Sequence, residues 1–360
     1  MDESQAMRRA LDLAVRGWGR VAPNPMVGAV LLRDGEVIGQ GHHAEFGAPH
    51  AEVVALADSH DAAGATCVVT LEPCSHHGKT PPCTTALIEA GVVRVVAATS
   101  DPTATGGGGA AWLTDAGIEV EVGLCAEEAA ALNAPFLYGA NGDRRRPFVA
   151  LKLATSLDGF LADRDGRARW ISGPESREFV HWLRAGFDAI GVGRRTAVID
   201  DPLLTVRGPL EPRVPPLRLV FGRGGEFPSE LRLFDTEAAP TAVVTSPAGA
   251  VELRETLAHT PVRVFGADGL AASLASLKEA GIASILIEGG GALAAALLEE
   301  ELVDRLYWIQ APIFLGTGVS AFGPRAGIPL DGASPWVVIE RRSLGRDTLL
   351  VVDRALCLQG

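Results

Sequence analysis

Cysteine is scarce in this chain: Cys67, Cys74, Cys83, Cys125 and Cys357 are an odd set of five spread through 360 residues. Small secreted scaffolds need a dense, paired set, so that class is excluded and a reducing, cytoplasmic setting is expected. Basic charge is also short. With 32 Lys and Arg against 44 Asp and Glu, the formal net charge is -12, which works against binding a long phosphate backbone. Aromatic residues are only 6% of the chain, so no basic, aromatic-rich face of the kind that grips RNA is in prospect. No apolar run is long enough to span a bilayer, and the opening MDESQAMRRALDLAVRGWGR has neither an unbroken apolar core nor a small-residue cleavage site. Neither a nucleic acid nor a membrane is an expected partner.

What is present reads as a folded chain throughout, 47% apolar and 21% charged. Its length exceeds what one core usually serves, so two domains are expected. From Gly28 the pattern alternates: VGAVLL, the turn Asp34-Gly35, VIGQG, helical AEVVALADSH, strand TCVVTL, helical CTTALIEA, strand VVRVVAAT, helical AAWLTDAG, strand IEVEV. A helix from Ala126 to about Leu137 follows, and polar NGDRRRP then breaks the pattern. The second half alternates again, through FVALKLA, a helix over ESREFVHWLRAG, DAIGVG, LRLVFG, TAVVTS, VRVFG, a helix over LAASLASLKEAG, SILIEGG and ALAAALLEE, to strands near LYWIQAPIF and TLLVVD. Both halves are α/β layered domains, divided as 1–143 and 147–360.

The chemistry-bearing signal is PHAEVVAL followed by LEPCSHHGKTPPC. A His, a Glu two residues on, and a later Pro-Cys with a second Cys match the zinc nucleobase deaminase signature. His50, Cys74 and Cys83 supply one nitrogen and two thiolates, leaving a fourth tetrahedral position for water, which is the mark of a catalytic zinc. Glu52 stands beside the metal without ligating it, placed to carry a proton from that water to the ring and the departing amine. Eight residues separate Cys74 from Cys83, where many nucleobase deaminases have two. Any one of these residues alone is more often incidental; their joint order is not. His42, His43, His76 and His77 are weaker signals, since a lone loop His is more often solvated.

APNPMVGAV, GHHAEFGAPHAEVVAL and LEPCSHHGKTPPC together resemble the deaminase half of the bifunctional riboflavin-biosynthesis deaminase/reductase family, to which the long Cys spacing belongs. RPFVALKLATSLDGF, WISGPESREFVHWLRAGFDAIGVGRRTAVIDDPLLTVR and ILIEGGGALAAALL resemble its reductase half. The resemblance implies a cytidine-deaminase-like three-layer domain followed by a dihydrofolate-reductase-like α/β domain. It implies a zinc ion and NADPH as cofactors, a small phosphorylated pyrimidine as substrate, and a homo-oligomer. The implied reactions are hydrolytic deamination of a diaminopyrimidinone ribosylamino 5'-phosphate and reduction of its ribosyl chain to ribityl.

Carried over by motif, Asn24, His42 and Lys79 are the implied deaminase substrate contacts. Lys152 and Asp200 are the implied catalytic pair of the reductase, and Ala168, Arg184, Leu203, Arg207 and Glu288 its substrate contacts, with Arg184 and Arg207 suited to hold a phosphate through paired hydrogen bonds. Ala154, Trp170, Thr196, Asp200 and Ser246 match cofactor positions, and Gly290, Gly291, Ala292, Leu293, Ala294, Ala295 and Ala296 match the diphosphate loop. Independently of resemblance, ILIEGGGALAAALL reads as a strand, a glycine turn and a helix whose first amides can face a phosphate. It lacks the third glycine of the Rossmann fingerprint. Lys152 interrupts an apolar strand, where an unpaired ammonium is costly, so a ligand or carboxylate is expected beside it. By contrast, Arg184 is as easily a solvated helix face, Arg207 a loop charge and Trp170 a packing residue.

Two departures from the family pattern stand out: TATGGGG after Asp101-Pro102 where the family has Asn-Pro and a spaced glycine, and Ala168 where it commonly has Ser, which predicts weaker hold on the phosphate. Two other functions compete with the bifunctional reading. One is a nucleoside or tRNA deaminase fused to a non-catalytic reductase-like domain, against which the acidic balance argues. The other is a binding protein for pathway intermediates, against which the intact His50, Glu52, Cys74 and Cys83 argue.

Overall fold

The computed structural model describes residues 1–76, 81–140, 142, 144–167, 171–224, 227–228, 230–323 and 336–354. The chain divides into two compact units, Met1–Gly142 and Asp143–Gln359, the division falling inside the NGDRRRP stretch.

In the first unit the elements are α1 (Glu3–Ala14), β1 (Gly28–Arg33), β2 (Glu36–His42), α2 (Ala51–Asp58), β3 (Thr66–Val69), α3 (Cys83–Glu89), β4 (Arg94–Ala97), α4 (Gly109–Asp115), β5 (Glu119–Val122), α5 (Ala126–Leu132) and α6 (Ala134–Ala140). The strands form one sheet in the order β2-β1-β3-β4-β5. β1 runs antiparallel to both neighbours, while β3, β4 and β5 are parallel. Asp34 and Gly35 both adopt positive φ, the backbone a tight hairpin between β1 and β2 requires. Helices cover both faces. Ala51, Ala55, Leu87 and Leu113 pack on one side of the sheet, and Ala6, Met7, Ala10, Leu13 and Ala129 on the other. The first domain is thus the three-layer arrangement the sequence implies.

The helix read from Ala126 to about Leu137 is two helices, because the chain breaks at Asn133. The Asn133 side chain is buried and makes a two-way bond with the Met26 backbone, Oδ1 accepting from N–H at 2.8 Å and Nδ2 donating to the carbonyl at 2.9 Å. A side chain that pairs with a distant peptide group satisfies both partners better than an unbroken helix surface does.

The second unit holds β6 (Phe148–Thr155), β7 (Phe160–Asp163), α7 (Pro174–Ala185), β8 (Ala189–Gly193), α8 (Arg194–Asp200), β9 (Leu217–Phe221), β10 (Thr241–Thr245), α9 (Pro247–Thr256), β11 (Arg263–Gly266), α10 (Gly269–Glu279), β12 (Ser284–Glu288), α11 (Gly291–Glu299), β13 (Arg305–Gln310), β14 (Gly318–Ser320), β15 (Trp336–Leu344) and β16 (Asp347–Arg354). Nine strands form a sheet in the order β11-β10-β9-β8-β12-β6-β13-β16-β15, and β7 pairs with β14 in a separate ribbon. β11 through β13 are parallel; β16 and β15 close the edge antiparallel. Such central strands are buried on both faces and read as continuous apolar runs, and each residue of Leu217–Phe221, Thr241–Thr245 and Ser284–Glu288 is buried. β12 inserts between β6 and β8 after the chain has already built outward to β11. That reversal opens a crevice at the carboxyl ends of the strands, where ligands bind in sheets of this kind.

Candidate metal centre and cofactor cleft

His50 is the N-cap residue of α2, yet its ring makes no capping bond and is free to face another group. Cys83 is the first residue of α3, and Cys74 lies in the segment after β3. Nδ1 of His50 is 3.2 Å from Cys83 Sγ and 3.5 Å from Cys74 Sγ. The three donor atoms lie within 4.8 Å of one another. Zinc bound at ordinary bond lengths in a tetrahedron places nitrogen and sulfur roughly 3.5 Å apart, so the donors are spaced for that ion.

The electrostatics agree. Hydrogen bonding from Cys83 and His50 brings the Cys74 thiol down to about 4 despite burial. Cys83 is pushed far up by its bond to Cys74 and by burial. Two thiols this close and this buried share one proton readily, and a bound cation would favour release of the other. The Cys83 backbone N–H, at a helix N-terminus, points at Cys74 Sγ from 3.4 Å.

Glu52, in the first turn of α2, is 3% exposed, and burial pushes its carboxyl above the ordinary glutamate value. A cavity of about 330 Å³ opens in front of it, lined by Asn24, His43, His50, Cys74 and Asp101 among others. The implied contact His42 does not line this cavity; His43 does. The cause is strand alternation after an irregularity that leaves Ile38 unpaired. A Cβ on Gly39 or Gly41 would strike the α2 backbone, so these residues and His43 face α2. On the opposite face, Gln40 meets Arg9 of α1 and His42 meets the charge of Arg16. His43 Nδ1 is 3.1 Å from the Pro49 carbonyl, which can only accept, so Nδ1 carries the proton and Nε2 accepts from Asn24 Nδ2 at 3.1 Å. Burial lowers the His43 value and keeps the ring neutral. Lys79 lies outside the described residues.

In the second unit a cleft of about 970 Å³ opens at the carboxyl ends of the parallel strands, near the top of the roughly 300–1,000 Å³ range of ligand sites. Lys152 and Ala154 of β6, Thr196 and Asp200 of α8, and Ser246 after β10 line it. So do Gly290, Gly291, Ala292, Leu293 and Ala296, at the start of α11. Gly290 has φ of 81°, and a Cβ there would come within 2.9 Å of Thr196 Oγ1; one on Gly291 would lie 2.4 Å from the Ser320 carbonyl. Only glycine lets this turn close, and the first amides of α11 then face the cleft, a cradle suited to a diphosphate. Ala294 and Ala295 depart from the expected set. They lie on the other side of α11, buried, and do not line the cleft.

Arg184 and Glu288 are joined to each other. Arg184 Nε and Nη2 donate to the two Glu288 oxygens at 2.5 and 2.9 Å, and Nη1 donates to the Thr205 carbonyl at 2.9 Å. The expected open phosphate fork is therefore already occupied. Burial alone would raise the Glu288 carboxyl, but Arg184 and Lys152 hold it below its ordinary value. Lys152 is level with Glu288 across β6 and β12. Burial pulls its ammonium below the ordinary lysine value, with Glu288 opposing. His181, one turn before Arg184, is pushed down to about 4 by burial and by the charges of Arg184 and Arg207. Arg207 is exposed, and neither it nor Leu203 lines the cleft. Ala168 and Trp170 lie outside the described residues.

The sequence marked His43 only as a weak signal and did not single out the cleft-lining Arg194, Arg195 and Arg223 or the fully buried Arg218. Arg218 donates to four carbonyls, those of Leu203, Arg232, Asp235 and Ala239. It thereby anchors the loop that carries Leu203. Nothing in an Arg between apolar strand residues announces acceptors so far along the chain.

Residues 1–99 match the cytidine and deoxycytidylate deaminase zinc-binding region, and residues 147–329 match the RibD C-terminal domain. The riboflavin biosynthesis protein RibD of Aquifex aeolicus is 43% identical over 87% of this chain and 88% of its own. That of Escherichia coli is 39% identical over 97% and 99%. The solved diaminohydroxyphosphoribosylaminopyrimidine deaminase/5-amino-6-(5-phosphoribosylamino)uracil reductase of Thermotoga maritima is 34% identical, superposes with a TM-score of 0.82, and is matched over 98% of this chain and 99% of its own. With relatives of this identity matched from end to end, and both halves of the pattern on one chain, this protein belongs to the RibD family of riboflavin-biosynthesis proteins.

Proposed function

We propose that the first unit deaminates the pyrimidine ring of a diaminopyrimidinone ribosylamino 5'-phosphate and the second reduces the ribosyl chain of the product to ribityl with NADPH. The observation that carries this reading is the coexistence of a three-donor metal centre beside a buried Glu52 with a glycine-cradled cleft that ends at Lys152.

Zinc held by His50, Cys74 and Cys83 supplies a Lewis acid that makes water nucleophilic at neutral pH. Glu52, with its raised value, accepts a proton on one side of the cavity and returns it to the ring and the leaving ammonia. Asn24, oriented by neutral His43, presents its amide to the pyrimidine edge. Lys79 is read as a further contact by resemblance.

Gly290, Gly291, Ala292 and Leu293, with Ala154, Thr196 and Asp200 further along the cleft, are the residues that would hold NADPH, which would supply a hydride for the ribosyl carbon when bound. Trp170 joins that end by resemblance. Lys152, a stronger acid than a solvated lysine, delivers a proton to the substrate oxygen freed as the ribosyl ring opens. Glu288, locked by Arg184, keeps that ammonium charged and aimed, while Arg207, Leu203 and Ala168 are read as the substrate side. A homo-oligomer and a cytoplasmic location belong to the same reading; light scattering on the purified protein tests the first.

The deciding experiment follows ammonia release and then NADPH oxidation on one purified, zinc-loaded preparation. Both signals are expected. Ammonia alone would remove the reductase half of the proposal, and neither signal would redirect it to another substrate.

A further inference from the structure

Glu72 precedes the Pro73-Cys74 pair and is 7% exposed, yet among the described residues it has no cationic partner. Both of its oxygens are taken by peptide groups instead. Oε2 accepts the Asp101 N–H at 3.0 Å and Oε1 accepts the Ala110 N–H at 2.8 Å, on either side of the TATGGGG segment. That segment is also folded onto itself. Asp101 Oδ1 accepts the Thr103 N–H at 2.8 Å and its hydroxyl at 2.6 Å, and Thr103 Oγ1 accepts the Gly106 N–H at 2.9 Å. Ser75, next to the metal donor Cys74, donates to the Gly107 carbonyl at 3.1 Å. A Cβ on Gly109 would lie 1.8 Å from the Pro73 carbonyl, so the segment closes directly against the peptide that carries Cys74. Asp101, Thr103, Thr105 and Gly106 form one wall of the cavity in front of Glu52.

A carboxylate buried without a counter-cation is costly unless N–H groups solvate it, and one that ties both ends of a loop fixes the shape of that loop. We propose that Glu72 is a positioning residue: it clamps residues 101–110 as the wall of the deaminase cavity and so sets how tightly substrate is held, without entering the chemistry. The inference rests on reading the cavity as the deaminase site. It also explains how a segment that departs from the family pattern keeps a defined form, since the clamp acts on backbone groups and is indifferent to the side chains between them.

The test uses the full-length, zinc-loaded protein with Glu72→Gln, whose amide offers one acceptor where the carboxylate offers two, and with Thr103→Val, which loosens the same segment without touching Glu72. Ammonia release, zinc per chain and hydrogen exchange over 101–110 are measured together. For both variants KM is expected to rise about tenfold or more while kcat stays within about threefold, the signature of lost uniform binding. Zinc content is unchanged, exchange over 101–110 is faster, and the double variant is less impaired than the product of the two singles. A fall in kcat at unchanged KM would place Glu72 in the chemistry; loss of zinc would make it part of the metal centre; unchanged exchange would remove the clamp. Each of these overturns the proposal. If wild-type protein releases no ammonia, the deaminase reading fails separately, and the exchange comparison still decides whether Glu72 holds the segment.

Discussion

Arg184 grips Glu288 through two parallel hydrogen bonds, with side chains 11% and 10% exposed, so the pair is a buried fixture beside Lys152. Removing one partner of such a pair leaves the other charge uncompensated. Arg184→Met is therefore expected to destabilise the second unit by about 3–5 kcal/mol, read from denaturant unfolding. An Arg that simply held a substrate phosphate would give the opposite pattern, with stability kept and KM raised.

Lys152 carries a stability cost that depends on pH. Its value in the folded protein lies below 10.5, so between the folded value and 10.5 the unfolded chain binds the proton that the native state has released. Stability from this group therefore rises with pH through that window, and the penalty is full below it. Lys152→Met is expected to abolish NADPH oxidation and leave the protein as stable or more so at neutral pH, the advantage shrinking as pH climbs toward 10.5. Melting curves of both proteins at neutral and alkaline pH check this; a gain that grew with pH would contradict the sign.

Glu52→Gln keeps the shape of the carboxyl and removes its ability to carry a proton. Ammonia release is expected to fall by about 10²–10⁴ while zinc content holds, and NADPH oxidation persists when deaminated substrate is supplied. Cys83→Ser, by contrast, is expected to lose the metal and with it deamination. The second unit has its own core around Val149, Leu151, Leu219 and Ile287, so its melting should persist in both variants. Retention of deamination by Glu52→Gln would point to a different proton carrier.

The alternation of strand and helix was legible because central parallel strands and the helices that cover them impose distinct apolar periods, and PHAE with PCSHHGKTPPC was legible because the zinc ligands and the acid fall in two short motifs of fixed order. What was hidden depends on distance along the chain. The Asn133 break is decided by Met26, the occupation of Arg184 by Glu288, and the role of Arg218 by carbonyls as far away as Ala239. The β7–β14 ribbon was missed for the same reason, since among the described residues short Phe160–Asp163 pairs with a segment at 318–320, far along the chain. At α11, the resemblance covered a continuous run, but a helix turns every residue by about 100°, so Ala294 and Ala295 point away from the cleft that their neighbours line.

His42 and His43 offer a direct test of facing, because adjacent residues on a strand point to opposite sides. The irregularity at Ile38 sets which of the two meets α2, and the clash that a Cβ on Gly41 would make with Ala51 shows that His43 does. His43 is 3% exposed and bonded to both Asn24 and Pro49, whereas His42 lies toward Arg16 and outside the cavity. His43→Phe keeps a flat ring but loses the acceptor that orients the Asn24 amide, so it is expected to raise KM for deamination by about tenfold, the worth of one neutral hydrogen bond. His42→Gln is expected to leave KM within about twofold, as surface changes away from a site do. Neither change touches the metal donors, so zinc content should be equal in the two. A KM effect from His42→Gln with none from His43→Phe would mean that the strand presents its other face to the substrate.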